Sequence, residues 1–164
     1  MRLHHRIESI HRTVFILGTA IVLGSLPVLA EQANFDRLTL ARGFSPSSAI
    51  VSGQTGGSTS LPAVVGKRDR LGNPCLGFGD PTPDHILELQ ADFRNLTVAV
   101  DSGGSDTTLI VEAPDGSLLC GDDTGSSRDA SVADGQWPSG SYKVWVGSID
   151  SGARHSYTLS VARN

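Results

Sequence analysis

Hydrophobic and polar positions alternate along much of the stretch from residue 37 to residue 161. A period of two is that of a strand with one face turned to a core. The clearest case is Trp137-Pro-Ser-Gly-Ser-Tyr-Lys-Val-Trp-Val-Gly-Ser148, where Tyr142, Val144 and Val146 alternate with Lys143, Trp145 and Gly147 after a Pro-Ser-Gly turn. Leu96-Thr-Val-Ala-Val-Asp101 puts Leu96, Val98 and Val100 on one face, and Tyr157-Thr-Leu-Ser-Val161 does the same with Tyr157, Leu159 and Val161. Shorter strands are predicted over 37–41, 49–52, 85–90, 107–112, 117–120 and 130–132. Turn signals separate them: Gly43-Phe-Ser-Pro46, the glycine- and hydroxyl-rich run 53–60, Pro114-Asp-Gly116, Asp134-Gly135 and Asp150-Ser-Gly152. The expectation is an all-β fold, a β-sandwich or jelly roll of about eight or nine short antiparallel strands, with no convincing helix in it.

The first thirty residues break this pattern. Arg2, Arg6 and Arg12 accompany an apolar run from Val14 to Leu23, and Pro27-Val-Leu-Ala30 offers small residues where a signal peptidase cuts. The run is short for a membrane span. Residues 1–30 are therefore expected to be a secretory signal peptide, and residues 31–164 a single domain in the periplasm or outside the cell, away from the membrane. Removing the leader takes three arginines and one glutamate from the 13 basic and 17 acidic residues, leaving 10 and 16, a net charge of −6. Such a surface excludes nucleic acid and anionic lipid as partners and is compatible with cations.

Cys75 and Cys120 are the two cysteines. In an exported chain without a C-x-x-C or a nearby histidine they are expected to form one disulfide.

Candidate chemistry is sparse. The acidic loops carry Asp101 and Asp106 around one turn, and Asp115, Asp122, Asp123 and Asp129 around the next hairpin and its exit. Calcium takes six to eight oxygen ligands, which closely spaced aspartates and carbonyls supply, although Asp122-Asp123-x5-Asp129 is not an EF-hand. Ordinary turn chemistry, with aspartate bonding its own backbone, is the competing explanation. The run 53–60 leads into no amphipathic helix and so makes no phosphate loop. There is no Gly-x-Ser-x-Gly elbow. Only His85 and His155 remain in the mature chain, and a small hydrolase would have to use His85 with a nearby acid. Trp145 lies on the strand face opposite Tyr142, Val144 and Val146. If that face is open, Trp145 and Trp137 form an aromatic platform for sugar rings or a peptide; if it is covered, Trp145 is core.

Asp106-Thr-Thr-Leu-Ile-Val, Pro114-Asp-Gly116, Asp122-Asp123, Trp137…Gly140-x-Tyr142-x-Val144-Trp-Val146 and Tyr157-x-Leu159 together resemble the bacterial pre-peptidase C-terminal domain. The resemblance spans roughly residues 84–162. Gly43-Phe-x-Pro46, Cys75-x-Gly-Phe78 and Pro83-Asp-His85 resemble small exported bacterial proteins as well. The resemblance implies a β-sandwich of the kind appended to secreted proteases, among them the collagen-binding domains of clostridial collagenases. It implies a substrate-anchoring, export or maturation role, and calcium at Asp115, Asp122, Asp123 and Asp129. Relatives usually follow a catalytic domain, and these 164 residues hold no recognisable one. The expected function is thus a non-catalytic binding or accessory module for a carbohydrate or peptide. A calcium-stabilised structural domain without a specific ligand is the alternative.

Overall fold

The computed structural model describes residues 31–164, and the expected leader lies outside the described residues. In chain order the elements are β1 (Leu38–Leu40), β2 (Ile50–Gln54), β3 (Thr59–Ser60), α1 (Leu61–Val64), β4 (Phe78–Gly79), β5 (His85–Leu89), β6 (Leu96–Asp101), β7 (Thr107–Glu112), β8 (Leu118–Gly121), β9 (Ser131–Asp134), β10 (Gly140–Ser148) and β11 (Ser156–Arg163). A 3-10 turn, Pro46–Ser48, precedes β2.

The tryptophan-bearing segment becomes β10, which runs through the middle of a seven-stranded sheet. On one edge it pairs antiparallel with β7, Trp145 opposite Ile110, and β7 pairs with β8. On the other edge its first half pairs with β5 and its last residue, Ser148, pairs with Phe78 of β4. β1 and β3 flank β5 and β4. The second sheet has the order β2-β11-β6-β9, all antiparallel. The two sheets make the chain a β-sandwich.

The alternating residues do what their period demands. Tyr142, Val144 and Val146 of β10, Leu109 and Val111 of β7 and Leu87 and Leu89 of β5 pack against Leu96, Val98, Val100, Tyr157, Leu159 and Val161 from the facing sheet. All of these side chains are buried. The outer face of the large sheet is covered too. Trp145 and Ile110 point away from the main core into a second cluster with Leu61, Cys75 and Leu118. Helix α1 and the chain from residue 65 to 77 form that cover. The Cys75–Cys120 disulfide, S–S 1.99 Å, ties the cover to β8. Gly147 makes room for it: a Cβ there would lie 2.8 Å from Leu61 Cδ1 and 2.9 Å from the Phe78 carbonyl oxygen.

Three expectations change. There are eleven strands, because β3 and β4 are two-residue segments in glycine-containing stretches where no alternation marks them. A four-residue helix, α1, follows Ser60 with Pro62 in its first turn. β1 pairs with β5 in parallel, Leu38 opposite Leu87. A parallel pair needs a long crossover, and the chain from 41 to 84 supplies it by visiting the other sheet on the way.

Candidate functional site

Between the β7–β8 turn and the segment entering β10 the structure holds a pocket of about 260 Å3. Its apolar wall is made by Ala113, Pro114, Leu119, Trp137, Pro138 and Tyr142, and its polar rim by Arg70, Asp115, Ser117 and Gln136. The turn is set locally: the Ala113 N–H donates to the Ser117 carbonyl at 2.8 Å and Asp115 Oδ1 accepts the Ser117 N–H at 2.9 Å. Trp137 is fixed by its own indole, which donates to the Asp134 carbonyl at 3.1 Å. Its ring centre stands 5.4 Å from that of Tyr142, whose hydroxyl donates to the Pro138 carbonyl at 2.7 Å. Arg70 is ion-paired with Asp134 at the rim. Arg70 reads in the sequence as part of a solvated basic cluster, Lys67-Arg-Asp-Arg70. Only the fold of the covering loop, through the Arg70 N–H to the Leu118 carbonyl (3.2 Å), carries it to this place.

Neither tryptophan forms an exposed platform. Trp137 is 1 % and Trp145 4 % exposed. The reason is the cover over the outer face: Trp145 is sealed by Leu61, Cys75 and Leu118, and its indole donates to the Pro81 carbonyl at 3.2 Å.

The acidic residues separate into two kinds. Asp115 is a turn residue, as described. Asp129 accepts the N–H groups of Ser102 and Gly104 at 2.9 and 3.2 Å, and the hydroxyls of Ser102 and Ser127. Partial burial would raise its pKa, but these donors hold the carboxyl below its usual range. Asp122 and Asp123 instead meet Asp106, with one carboxylate oxygen of each lying within 4.8 Å of the others. Asp115 and Asp129 are not part of this group. Asp122 Oδ1 is buried and has no hydrogen-bond partner among the described residues. Burial, then the charges of Asp123 and Asp106, push the Asp122 pKa up. The sequence shows Asp106 flanking a turn, and the missing step is the register: with Leu109 opposite Gly121, the two strands run on to bring Asp106 beside the Asp122-Asp123 pair.

His85 is fully buried. Its Nδ1 lies 2.8 Å from the Asp36 carbonyl, an acceptor, so Nδ1 carries the proton. Nε2, 2.9 Å from the Tyr157 hydroxyl, then accepts from it. Desolvation is the main cause holding its pKa below 6.5. Both nitrogens of this neutral ring are occupied by structural partners, which is not the arrangement of a general base facing a substrate.

No family model and no curated protein matches the chain. Among solved structures it is similar to the pre-peptidase C-terminal domain of a collagenase from Bacillus anthracis. That match has 17% identity and a TM-score of 0.47, and covers 85% of this chain and all of the other. It is also similar to a periplasmic inhibitor of g-type lysozyme from Aeromonas hydrophila, with 17% identity and a TM-score of 0.29, covering 77% of this chain and 97% of the other. The first is the domain type whose resemblance residues 84–162 carry; at these identities neither passes a function to this chain, and the fold class stands on the two sheets themselves.

Proposed function

We propose that this chain is a non-catalytic binding or accessory module of an exported protein, and that its ligand, a peptide or a glycan, inserts one side chain or one sugar ring into the pocket beside Trp137. The observation that carries this reading is the pocket's make-up: an apolar and aromatic wall held by fixed hydrogen bonds, with Arg70, Asp115, Ser117 and Gln136 converging on the rim. That is the composition of a small recognition site. The disulfide supports export, since such bonds persist in oxidising compartments. Arrays of peptides and glycans probed with the wild-type protein and with Ser117→Trp test it. The tryptophan should fill the mouth without touching the core, and the wild-type signals should vanish. Equal array profiles for the two proteins would show that the ligand does not enter this pocket.

A second reading has its own observation. The convergence of Asp106, Asp122 and Asp123 around an unpartnered Asp122 oxygen is a donor set suited to calcium. A cation there would tie β7 to the exit of β8 and stabilise the fold. Thermal unfolding in excess calcium and in excess chelator measures it, because a ligand of the folded state alone raises the midpoint. The rise should disappear in Asp122→Asn/Asp123→Asn, while equal midpoints in calcium and chelator would return these residues to surface chemistry.

A further inference from the structure

A second cavity, of about 320 Å3, shares no lining residue with the pocket beside Trp137. Asn34, Gln54, Thr55, Asp80, Asp84 and Arg154 line it. Its walls are tied together from four parts of the chain. The N–H groups of Asn34 and Phe35 donate to the carbonyls of Pro83 and Asp84, both at 2.9 Å. Thr55 Oγ1 donates to the Ala153 carbonyl at 3.0 Å and accepts the His155 N–H at 2.9 Å. The Gly152 N–H donates to the Gly57 carbonyl at 2.9 Å. The cavity is therefore built by the fold and is not a gap between loose loops.

Asp84 is the unusual member. It is 7 % exposed, yet it carries a carboxylate to the cavity wall. One of its oxygens, Oδ2, accepts the Val146 N–H at 2.7 Å from the central strand. Asp80, exposed at the mouth, likewise has Oδ1 engaged by the Thr82 N–H at 2.8 Å. Arg154, the nearby cation, forms no ion pair among the described residues, and its guanidinium reaches only Gln54 Oε1, at 3.4 Å. A buried carboxylate without a cationic partner is costly, and a matching cation recovers much of that cost.

We propose that this cavity binds a primary ammonium group, as carried by a lysine side chain of a protein partner or by a free diamine. The geometry distinguishes ammonium from guanidinium. A guanidinium seeks both oxygens of one carboxylate as a planar fork. Asp80 and Asp84, both on the segment entering β5, each have one oxygen committed to a backbone N–H, so neither offers both oxygens of its carboxylate free for such a fork. Three donors arranged around a point charge suit that arrangement. The proposal is independent of the pocket beside Trp137.

A pH dependence follows. Desolvation, above all, pushes the Asp84 pKa up to about 7. Asp80 adds a further rise, and the Val146 N–H and the Asn34 side chain oppose it. Arg154 lines the same cavity from the β10–β11 turn, Tyr157 lies near Asp84 on β11, and the neighbouring His85 is turned to Asp36 and Tyr157. Only the ionised carboxylate attracts the cation, so affinity should rise with pH through about 7.

The test is a two-dimensional 1H–15N titration of residues 31–164 with Nα-acetyl-lysine methylamide and with putrescine, following the Val146 amide. A saturable shift with either supports the proposal, and the tighter of the two names the source. Asp84→Asn keeps an acceptor for Val146 and should still fold, while its affinity should fall at least about tenfold, the scale of a lost charge-assisted contact. Arg154→Ala removes the competing cation and should tighten binding. No shift of the Val146 amide, an undiminished response in Asp84→Asn, or a response to calcium chloride with none to either amine would overturn it.

Discussion

At the scale of single residues, the buried polar groups decide where the chain tolerates change. Gly53 of β2 stands over the Tyr157 hydroxyl, and a Cβ there would lie 2.3 Å from it. The hydroxyl cannot swing aside, because it is held by His85 inside the core. Gly53→Ala should cost about 2 kcal/mol, in the range of overpacked cores, read as a lower midpoint in urea. Asp84 and His85 act on stability in opposite directions with pH. The folded pKa of Asp84 is raised from 3.8 to about 7, so its folded state holds a proton that the unfolded chain releases, and stability is lost as pH rises through that window. The folded pKa of His85 is lowered, so the unfolded chain takes up the proton first, and stability is lost as pH falls below 6.5. Asp84→Asn should therefore match the wild type near pH 4 and gain on it steadily towards pH 8, roughly the span of that window. Parallel urea midpoints across that range would contradict this assignment. The sequence shows Asp84-His85 at the start of a strand. It does not show Tyr157, 72 residues on, closing the ring's second nitrogen.

At the scale of elements, alternation was enough for the long strands. β6, β10 and β11 lie where their alternating faces place them, because each has one side committed to the main core, whereas β7 is buried on both faces and shows in the sequence as a β-branched, apolar run. What alternation could not reveal is what covers the other side. Trp145 sits on the outer face of β10, and the two outcomes for it, platform or core, depend on a segment some seventy residues earlier in the chain. That segment, α1 with residues 65–77, has no repeating pattern of its own. It is ordered by Asp69, whose carboxylate accepts the N–H groups of Leu71 and Asn73 at 2.9 and 2.8 Å, and by the disulfide. The cysteines are 45 positions apart in the chain, and Cys75→Ser/Cys120→Ser should lose about 4 kcal/mol on the chain-entropy estimate. Because the bond pins the lid over Trp145, the same variant should also show red-shifted tryptophan emission before global unfolding. Emission that shifts only at the global transition would mean that the cover holds without the bond.

At the scale of the whole molecule, a closed sandwich leaves its loops and sheet ends for recognition. The candidate sites lie there: the pocket between the β7–β8 turn and Trp137, the three aspartates at the edge of β7 and β8, and the cavity of Asp84. Sequence reading reached the class of fold and the pairing of Cys75 with Cys120. It missed Arg70 as a rim residue and Asp106 as a cluster member, since both arrive through strand register and loop path rather than through local pattern. Recognition in the pocket beside Trp137, as proposed, differs from recognition on an open aromatic face in where a small ligand comes to rest. Crystals of residues 31–164 soaked with a set of small aromatic and monosaccharide fragments measure this most directly. Fragments should seat between Arg70, Ser117 and the Trp137 ring. A pocket that stays empty in every soak, while fragments collect on other surfaces, would contradict that proposal.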